Sequence, residues 1–250
     1  MRLAGKSALI TGSSSGIGRA VATAFAEAGC DRLIINCPEN DRSAAESTAA
    51  DLKKLGSDTV VLIADISSAE ECQRLADEAI DFAGDLDILV NNAGIAHNHL
   101  VEDLPVDVWD KVMAVHARAT FLMTKAVLPH MYKRNSGRII NTVSQLAYKG
   151  APGLGAYTAA KGAVLSFTRS LALEIGDRNV RINCVAPGAT VTPILDAVDP
   201  EVVAAVLAGI PAGRLAEVTD IAPSYVFLAS SDGDHFQGQC ISPNGGDQFL

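Results

Sequence analysis

The sequence predicts an α/β chain: a single doubly wound parallel sheet of about seven strands with helices on both faces. Three observations carry that expectation. Short apolar runs, hydrophobic on both strand faces, alternate with helical segments of ten or more residues, the pattern of repeated βαβ units. Across the 250 residues, 48% are hydrophobic and 20% charged, which excludes a disordered chain and supplies a full core. No linker, charge run or internal repeat divides the chain, so residues 1–250 read as one domain.

Residues 7–11 (SALIT) read as the first strand, which runs into a glycine-rich turn and a helix over 18–28. A second strand at 32–36 (RLIIN), a helix over 44–55 and a third strand at 59–64 (TVVLIA) follow. A helix over 70–82 leads to a strand at 88–91 (ILVN). The next helix spans 106–134, with Pro129 as a break near its end, because an interior proline removes a hydrogen bond and its ring strikes the preceding turn. Strands at 138–143 (RIINTV) and 181–185 (RINCV) flank a helix over 156–174, and 238–242 (GQCIS) makes the last strand. Residues 188–222, punctuated by Pro193, Pro200 and Pro211, form an excursion long enough to read as a functional lid.

A formal charge of −9 argues against nucleic acid or an anionic membrane as partner. No apolar run approaches the ~18 residues of a membrane helix, and the start, MRLAGKSALITG, is too short and glycine-interrupted for a signal peptide. Cys30, Cys37, Cys72, Cys184 and Cys240 lack CxxC spacing and read as reduced thiols of a cytoplasmic protein. No metal is expected, since His97-Asn98-His99 has no further ligand in register; His130 and His235 have no motif context and read as surface residues.

The chemistry begins at Gly12-Ser13-Ser14-Ser15-Gly16-Ile17-Gly18. A strand, a glycine turn and a helix start in succession aim free N–H groups and the positive helix end at a pyrophosphate, and a Cβ at the glycines would keep the backbone from it. The turn lacks the lysine of a nucleoside-triphosphate loop. With it stand Asn91-Asn92-Ala93-Gly94, Ser144, Tyr157-x-x-x-Lys161, Pro187-Gly188, Ile210-Pro211-x-x-Arg214 and Gly245-Gly246. In order and spacing the set resembles the short-chain dehydrogenases/reductases over nearly all of the chain.

The resemblance implies a Rossmann-type sheet, a nicotinamide cofactor and a homotetramer. Position by position it implies that Gly12, Ser14, Ser15, Gly16, Ile17 and Gly18 line the pyrophosphate, and that Asp65 and Ile66 face the adenine. Asn91, Ala93 and Gly94 would hold the adenosine-side ribose and the central strand, and Pro187, Gly188 and Thr192 would flank the nicotinamide. Asn36 falls where NAD enzymes of the family carry a ribose-gripping carboxylate. Neither that carboxylate nor a basic residue before Gly16 is present, and Arg42 is the nearest cation. A 2′-phosphate without a cation is the costlier mismatch, so the choice between NAD(H) and NADP(H) leans to NAD(H).

Tyr157 and Lys161 lie four apart on a helix, hence on one face. A phenol near pKa 10 is a slow base at neutral pH, and a neighbouring ammonium favours the phenolate. Lys161 would supply that charge and bond the ribose hydroxyls, while Ser144, at a strand end, would hold the substrate oxygen for Tyr157. The family's fourth catalytic position, an asparagine linking the lysine to solvent, falls on His116, which would join the relay and itself carry protons near neutral pH.

By family position His97, Asn98, Gln145, Leu146, Leu154, Ala189, Val191 and Ile194 line the substrate pocket, a mostly uncharged set suited to a small or medium alcohol or ketone, with Gln145 orienting a substrate hydroxyl. Apolar residues on the two long helices (Val112, Val115, Ala119, Leu122 and Met123; Ala160, Val164, Phe167 and Leu171) exceed what one sheet face needs. In the family such helices pair between subunits. The expected activity is NAD(P)-dependent interconversion of a secondary alcohol and a ketone. One alternative is a 3-oxoacyl thioester reductase using NADPH, with Arg118, Lys125, Lys133, Arg134 and Arg138 available to meet a carrier's phosphopantetheine. The other is a non-catalytic nucleotide-sensing scaffold, against which the intact Ser144, Tyr157 and Lys161 speak.

Overall fold

Strands β1 (Ser7–Ile10), β2 (Arg32–Cys37), β3 (Asp58–Ile63), β4 (Ile88–Asn91), β5 (Gly137–Thr142), β6 (Val180–Val185) and β7 (Cys240–Ile241) form one parallel sheet in the order β3-β2-β1-β4-β5-β6-β7. The structure is a computed structural model and describes residues 1–193, 195 and 200–249. The strands fall within two residues of their expected places.

Alternation along each strand sends side chains to two separate cores. Ile10, Ile35, Val90, Ile140 and Val185 pack with Phe25 and Tyr225 beneath α1 (Gly16–Glu27), α2 (Arg42–Lys54) and α9 (Val218–Ala229). Leu9, Ile34, Leu89, Ile139 and Ile182 face α3 (Ala69–Ala83), α5 (Ala119–Arg134) and α7 (Gly155–Ile175) on the other side. Because both faces are covered, the strands carry apolar side chains to both of them, as the sequence pattern required. Each such aliphatic side chain contributes about 1.5–3 kcal/mol on full burial, so the sheet is a firm platform for the loops at its carboxyl edge.

Three local expectations are corrected. Helix 106–134 does not break at Pro129, which lies inside α5 on its exposed face, where the carbonyl freed four residues earlier is open to water. It breaks instead after α4 (Val106–Met113), where Ala114–Arg118 forms a single π-helical turn. The excursion after β6 carries α8 (Pro200–Ala208) and ends at Glu217, not at 222. There a reciprocal capping box between Glu217 and Asp220 starts α9, which packs against α1 as part of the fold. His130, read as a surface residue, is partly buried and its Nε2 accepts the Leu86 N–H at 3.2 Å, tying α5 to the start of β4.

Candidate active site

After β3 the chain crosses back over the sheet to lay β4 beside β1, and in such sheets the crevice for a ligand opens at the carboxyl ends of the two strands where the order reverses. Thr11-Gly12 leaves β1 there, Asn92 follows β4, Ser144 follows β5 and Pro187 follows β6, so the expected site residues converge on one edge.

The glycine turn is shaped by its neighbours. Gly12 has φ +62, and a Cβ on it would lie 2.6 Å from the Ala93 Cα; Gly16 has φ +54 and faces Thr192. Thr11 Oγ1 accepts the N–H groups of Asn92 (3.0 Å) and Ala93 (3.2 Å), and Asn92 Nδ2 donates to the carbonyls of Thr11 and Gly12 at 3.0 and 3.1 Å. Asn92 thus braces the turn, a role the sequence reading assigned to no residue. Asn91 does something else: its amide donates to Asn141 Oδ1 at 2.8 Å and Thr124 Oγ1 at 3.2 Å, locking β4 to β5 and α5 inside the core.

Helix α1 begins at Gly16 with Ser15 as its N-cap, yet the Ser15 side chain makes no capping bond and the first turn has no acidic residue. Its leading N–H groups and the positive helix end are therefore available to an anion. Contrast α3, where Ser68 Oγ caps the Glu71 N–H. Ser14 is buried, Ser15 exposed, and Ile17 partly buried on the first turn. Asp65 is exposed just after β3 with buried Ile66 beside it, its carboxylate accepting the Ser67 N–H.

Asn36 is placed differently from expectation. It is 1% exposed and its amide donates to the Leu62 and Ala64 carbonyls at 3.1 and 3.3 Å, so it is spent on β3 rather than offered to a ribose. Arg42 is likewise engaged, by both oxygens of Glu39 at 2.8 and 2.7 Å.

Across the crevice, the first turns of α7 carry Tyr157 and Lys161. The Ser144 hydroxyl faces the Tyr157 phenol closely enough to act on its ionisation, and Lys161 Nζ lies 5.6 Å from the Tyr157 ring centroid. Lys161 is 4% exposed, and among the described residues the one partner of its Nζ is the Thr142 carbonyl at 2.7 Å. An ammonium has three donors, which leaves two for a ligand. Burial pushes the Lys161 amine down to about 8, so it is still mostly charged at neutral pH. The Tyr157 phenol is pushed up by burial and pulled down less strongly by the Ser144 hydroxyl. The expected shift toward phenolate is therefore not met in the protein alone: desolvation outweighs an ammonium held against a carbonyl. The phenol is kept as a proton donor.

His116 sits on the π turn, 2% exposed, its ring edge-on to Tyr157 at 5.3 Å between centroids and packed on Gly94. Its Nε2 meets the Ile95 backbone, 3.1 Å from the N–H and 2.8 Å from the carbonyl oxygen, and Nδ1 is buried with no partner among the described residues. Burial, reinforced by the Lys161 charge, drives His116 down to about 3. The expectation that it carries protons near neutral pH is overturned: the imidazole is neutral there, because no counter-charge offsets its desolvation.

Of the expected pocket residues, His97 and Asn98 follow β4, Leu146 follows Ser144, Leu154 precedes α7, Ala189 and Val191 follow β6, and Ile194 lies outside the described residues. Gln145 is buried, and its amide donates to the Asp247 carboxylate, which also holds Lys149 Nζ at 2.6 Å. Nothing in the local sequence signalled that Asp247, a hundred residues away, would anchor the segment after Ser144. Pro187 accepts the Gln145 N–H through its carbonyl at 3.1 Å, and Gly188 packs against the backbone of Asn244 with no room for a Cβ. Among the described residues no group of three or more His, Cys, Asp or Glu side chains is placed to hold a metal, and no helix is long and apolar enough to cross a membrane.

A dinucleotide fits this edge on the residues present. The left-handed glycines, the uncapped α1 terminus and the spare Lys161 donors are what a pyrophosphate and a ribose diol need. The comparisons agree. A protein family described as enoyl-(acyl carrier protein) reductase matches residues 12–247. The 3-oxoacyl-[acyl-carrier-protein] reductase FabG of Staphylococcus aureus is 36% identical over 241 residues, covering 96% of this chain and 97% of that one. An uncharacterised oxidoreductase of Schizosaccharomyces pombe is 36% identical over 98% of this chain and 85% of its own. A Beutenbergia cavernae protein, provisionally named an NAD(P)-dependent gluconate 5-dehydrogenase and solved with NADP bound at low occupancy, superposes with a TM-score of 0.92. The identity is 34%, covering 98% of this chain and 97% of that one.

Proposed function

The chain belongs to the short-chain dehydrogenase/reductase family of NAD(P)-dependent oxidoreductases, and on that premise we propose that its substrate is a small or medium secondary alcohol and the matching ketone. The observation that supports the reading is the convergence of Ser144, the Tyr157 phenol and a buried Lys161 5.6 Å from the Tyr157 ring at the crevice of the sheet. When bound, the nicotinamide supplies or accepts the hydride. Tyr157 gives its proton to the ketone oxygen as the alcohol forms, and takes it back in the reverse direction. Ser144 donates to that same oxygen and holds it in line. Lys161 keeps a positive charge beside the phenol and turns its spare donors to the ribose.

Gly12, Ser14, Ser15, Gly16, Ile17 and Gly18 would hold the pyrophosphate, Asp65 and Ile66 the adenine side, and Pro187, Gly188 and Thr192 the nicotinamide side. Ala93 and Gly94 would border the ribose. The preference for NAD(H) is supported by Arg42, whose guanidinium is already engaged by Glu39 and would have to leave that pair to meet a 2′-phosphate. The free thiols fit the cytoplasm. Exposed Phe121, stacked edge-on against Phe167, and Leu173 at 85% exposure lie on the outer faces of α5 and α7, which supports a homotetramer paired through those helices.

The likeness to FabG favours a second reading, a 3-oxoacyl thioester reductase. Against it, Arg134 is paired with Asp85 and Asp87 and Arg138 with Asp234, at the amino ends of the strands and away from the crevice. A panel of polyols, hydroxy acids, simple ketones and 3-oxoacyl thioesters separates the readings, with NAD(H) and NADP(H) absorbance followed on material whose scattered-light mass equals four chains. We expect turnover of an alcohol–ketone pair with higher kcat/KM for NAD(H). Turnover of thioesters alone, with NADPH, would replace this reading by the second, and no turnover of any member would favour a non-catalytic scaffold.

His116 would enter the proton path as a neutral imidazole, through the Nδ1 that has no partner among the described residues. His116→Asn, which keeps an acceptor, is expected to hold kcat within about threefold while shifting the pH dependence of alcohol oxidation. Identical rates and profiles would remove His116 from the path.

A further inference from the structure

We propose that His97 is a positioning residue for the reaction: its neutral imidazole holds the first turn of α7 and so fixes Tyr157. The inference rests on the catalytic reading of Tyr157 given above.

The first N–H groups of a helix have no partner within it. At the start of α7 the N-cap residue is Leu154, which offers no side-chain acceptor, and the first turn has no acidic residue. The Tyr157 N–H nonetheless has a partner: it donates to His97 Nε2 at 3.2 Å, across sixty residues of sequence. The contact is part of a clamp. The His99 N–H donates to the Gly153 carbonyl at 3.0 Å, and the Asn98 side chain lies against Gly153, whose φ of +76 leaves no place for a Cβ. The loop after β4 thus takes the part that a serine or aspartate cap plays elsewhere.

Only the neutral ring can do this. Accepting at Nε2 places the ring proton on Nδ1, and an imidazolium has no acceptor at all. A charged His97 would also face the positive end of a 21-residue helix. The titratable groups around it are His99, stacked at 6.1 Å between centroids, His116 from the π turn, Tyr157 itself and, one turn further along α7, the Lys161 ammonium. Burial and then His99 hold His97 below its ordinary value. The bond is therefore intact above pH 6.5 and is lost as pH falls through the lowered value, taking the order of the first turn with it.

Two readouts test this. Hydrogen exchange of the peptide spanning residues 155–161, at one pH and without cofactor, is expected to be about tenfold faster in His97→Ala, the loss of one cap. In His97→Gln, whose carbonyl oxygen accepts the same N–H and does not titrate, it is expected to match the wild type. In ketone reduction at saturating substrates, His97→Ala is expected to lower kcat about tenfold with little change in cofactor KM. His97→Gln should recover most of kcat and lose the acid limb of the wild-type profile. Wild-type exchange in His97→Ala, or an unchanged acid limb in His97→Gln, overturns the proposal. Full turnover by Tyr157→Phe would instead remove the catalytic reading, while leaving the exchange result standing.

Discussion

Tyr157→Phe is expected to lower kcat by about 10²–10⁴-fold in both directions, the usual contribution of a positioned general acid or base. The change removes one oxygen and keeps the ring that packs edge-on against His116 and lies beside Lys161. Because the phenol is held above its ordinary value by burial, it is the protonated form that stands ready. Ketone reduction is then expected to be active across neutral pH, while alcohol oxidation climbs toward alkaline pH as the phenol ionises. Stopped-flow measurement of the hydride step, with cofactor affinity measured separately by titration, checks this. Cofactor binding within about twofold of wild type, together with the loss of rate, is the expected pair of results. Undiminished turnover would sink the assignment.

Lys161→Met carries the second large effect, and it has two signs. Activity is expected to fall at least about 100-fold, since the change removes both the charge beside the phenol and the donors for the ribose, and cofactor affinity is expected to fall with it. Stability is expected to rise. Burial lowers the Lys161 amine from 10.5 to about 8, so keeping it charged costs the folded protein about 3 kcal/mol below pH 8. Losing the donor to the buried Thr142 carbonyl costs back about 1–2 kcal/mol. The net gain of about 1–2 kcal/mol corresponds to a Tm about 2–8 °C higher for a chain of this size.

The pH dependence of that gain has a definite direction. Between pH 8 and 10.5 the unfolded chain binds the Lys161 proton more than the folded one does, so wild-type stability from this group rises with pH. The difference between variant and wild type should therefore be fully present below pH 8 and shrink toward 10.5. Denaturant titrations of both proteins across that range check it, and a gap that does not change with pH would show that the amine's burial is not what costs stability. A residue that destabilises the fold and is kept at the crevice is what a functional charge looks like.

Some of the site was legible because its chemistry is local. The glycine turn follows directly from a strand and precedes a helix, so its backbone shape is set within eight residues. Tyr157 and Lys161 share a helix face by spacing alone. The histidine at 116 could be located by order along the chain, but its charge state could not. That depends on a π turn and on burial against Gly94 and Ile95, none of which a linear pattern contains. Asn36 and Gln145 illustrate the same divide. Each was placed at the correct edge of the sheet, and the amide nitrogen of each was then found donating to a partner far along the chain: Asn36 to β3, Gln145 to Asp247.

By itself the sequence determined the doubly wound sheet and brought Ser144, Tyr157 and Lys161 to one edge of it, because hydrophobic period and short motif spacing are properties of neighbouring residues. Tertiary structure alone decided which of those groups are charged, which polar side chains are already spent, and what holds Tyr157 in place. Solvation and hydrogen-bond partners depend on what packs around a group, and at this crevice the packing comes from segments dozens of residues apart: the loop at His97, the π turn at His116 and the carboxylate of Asp247.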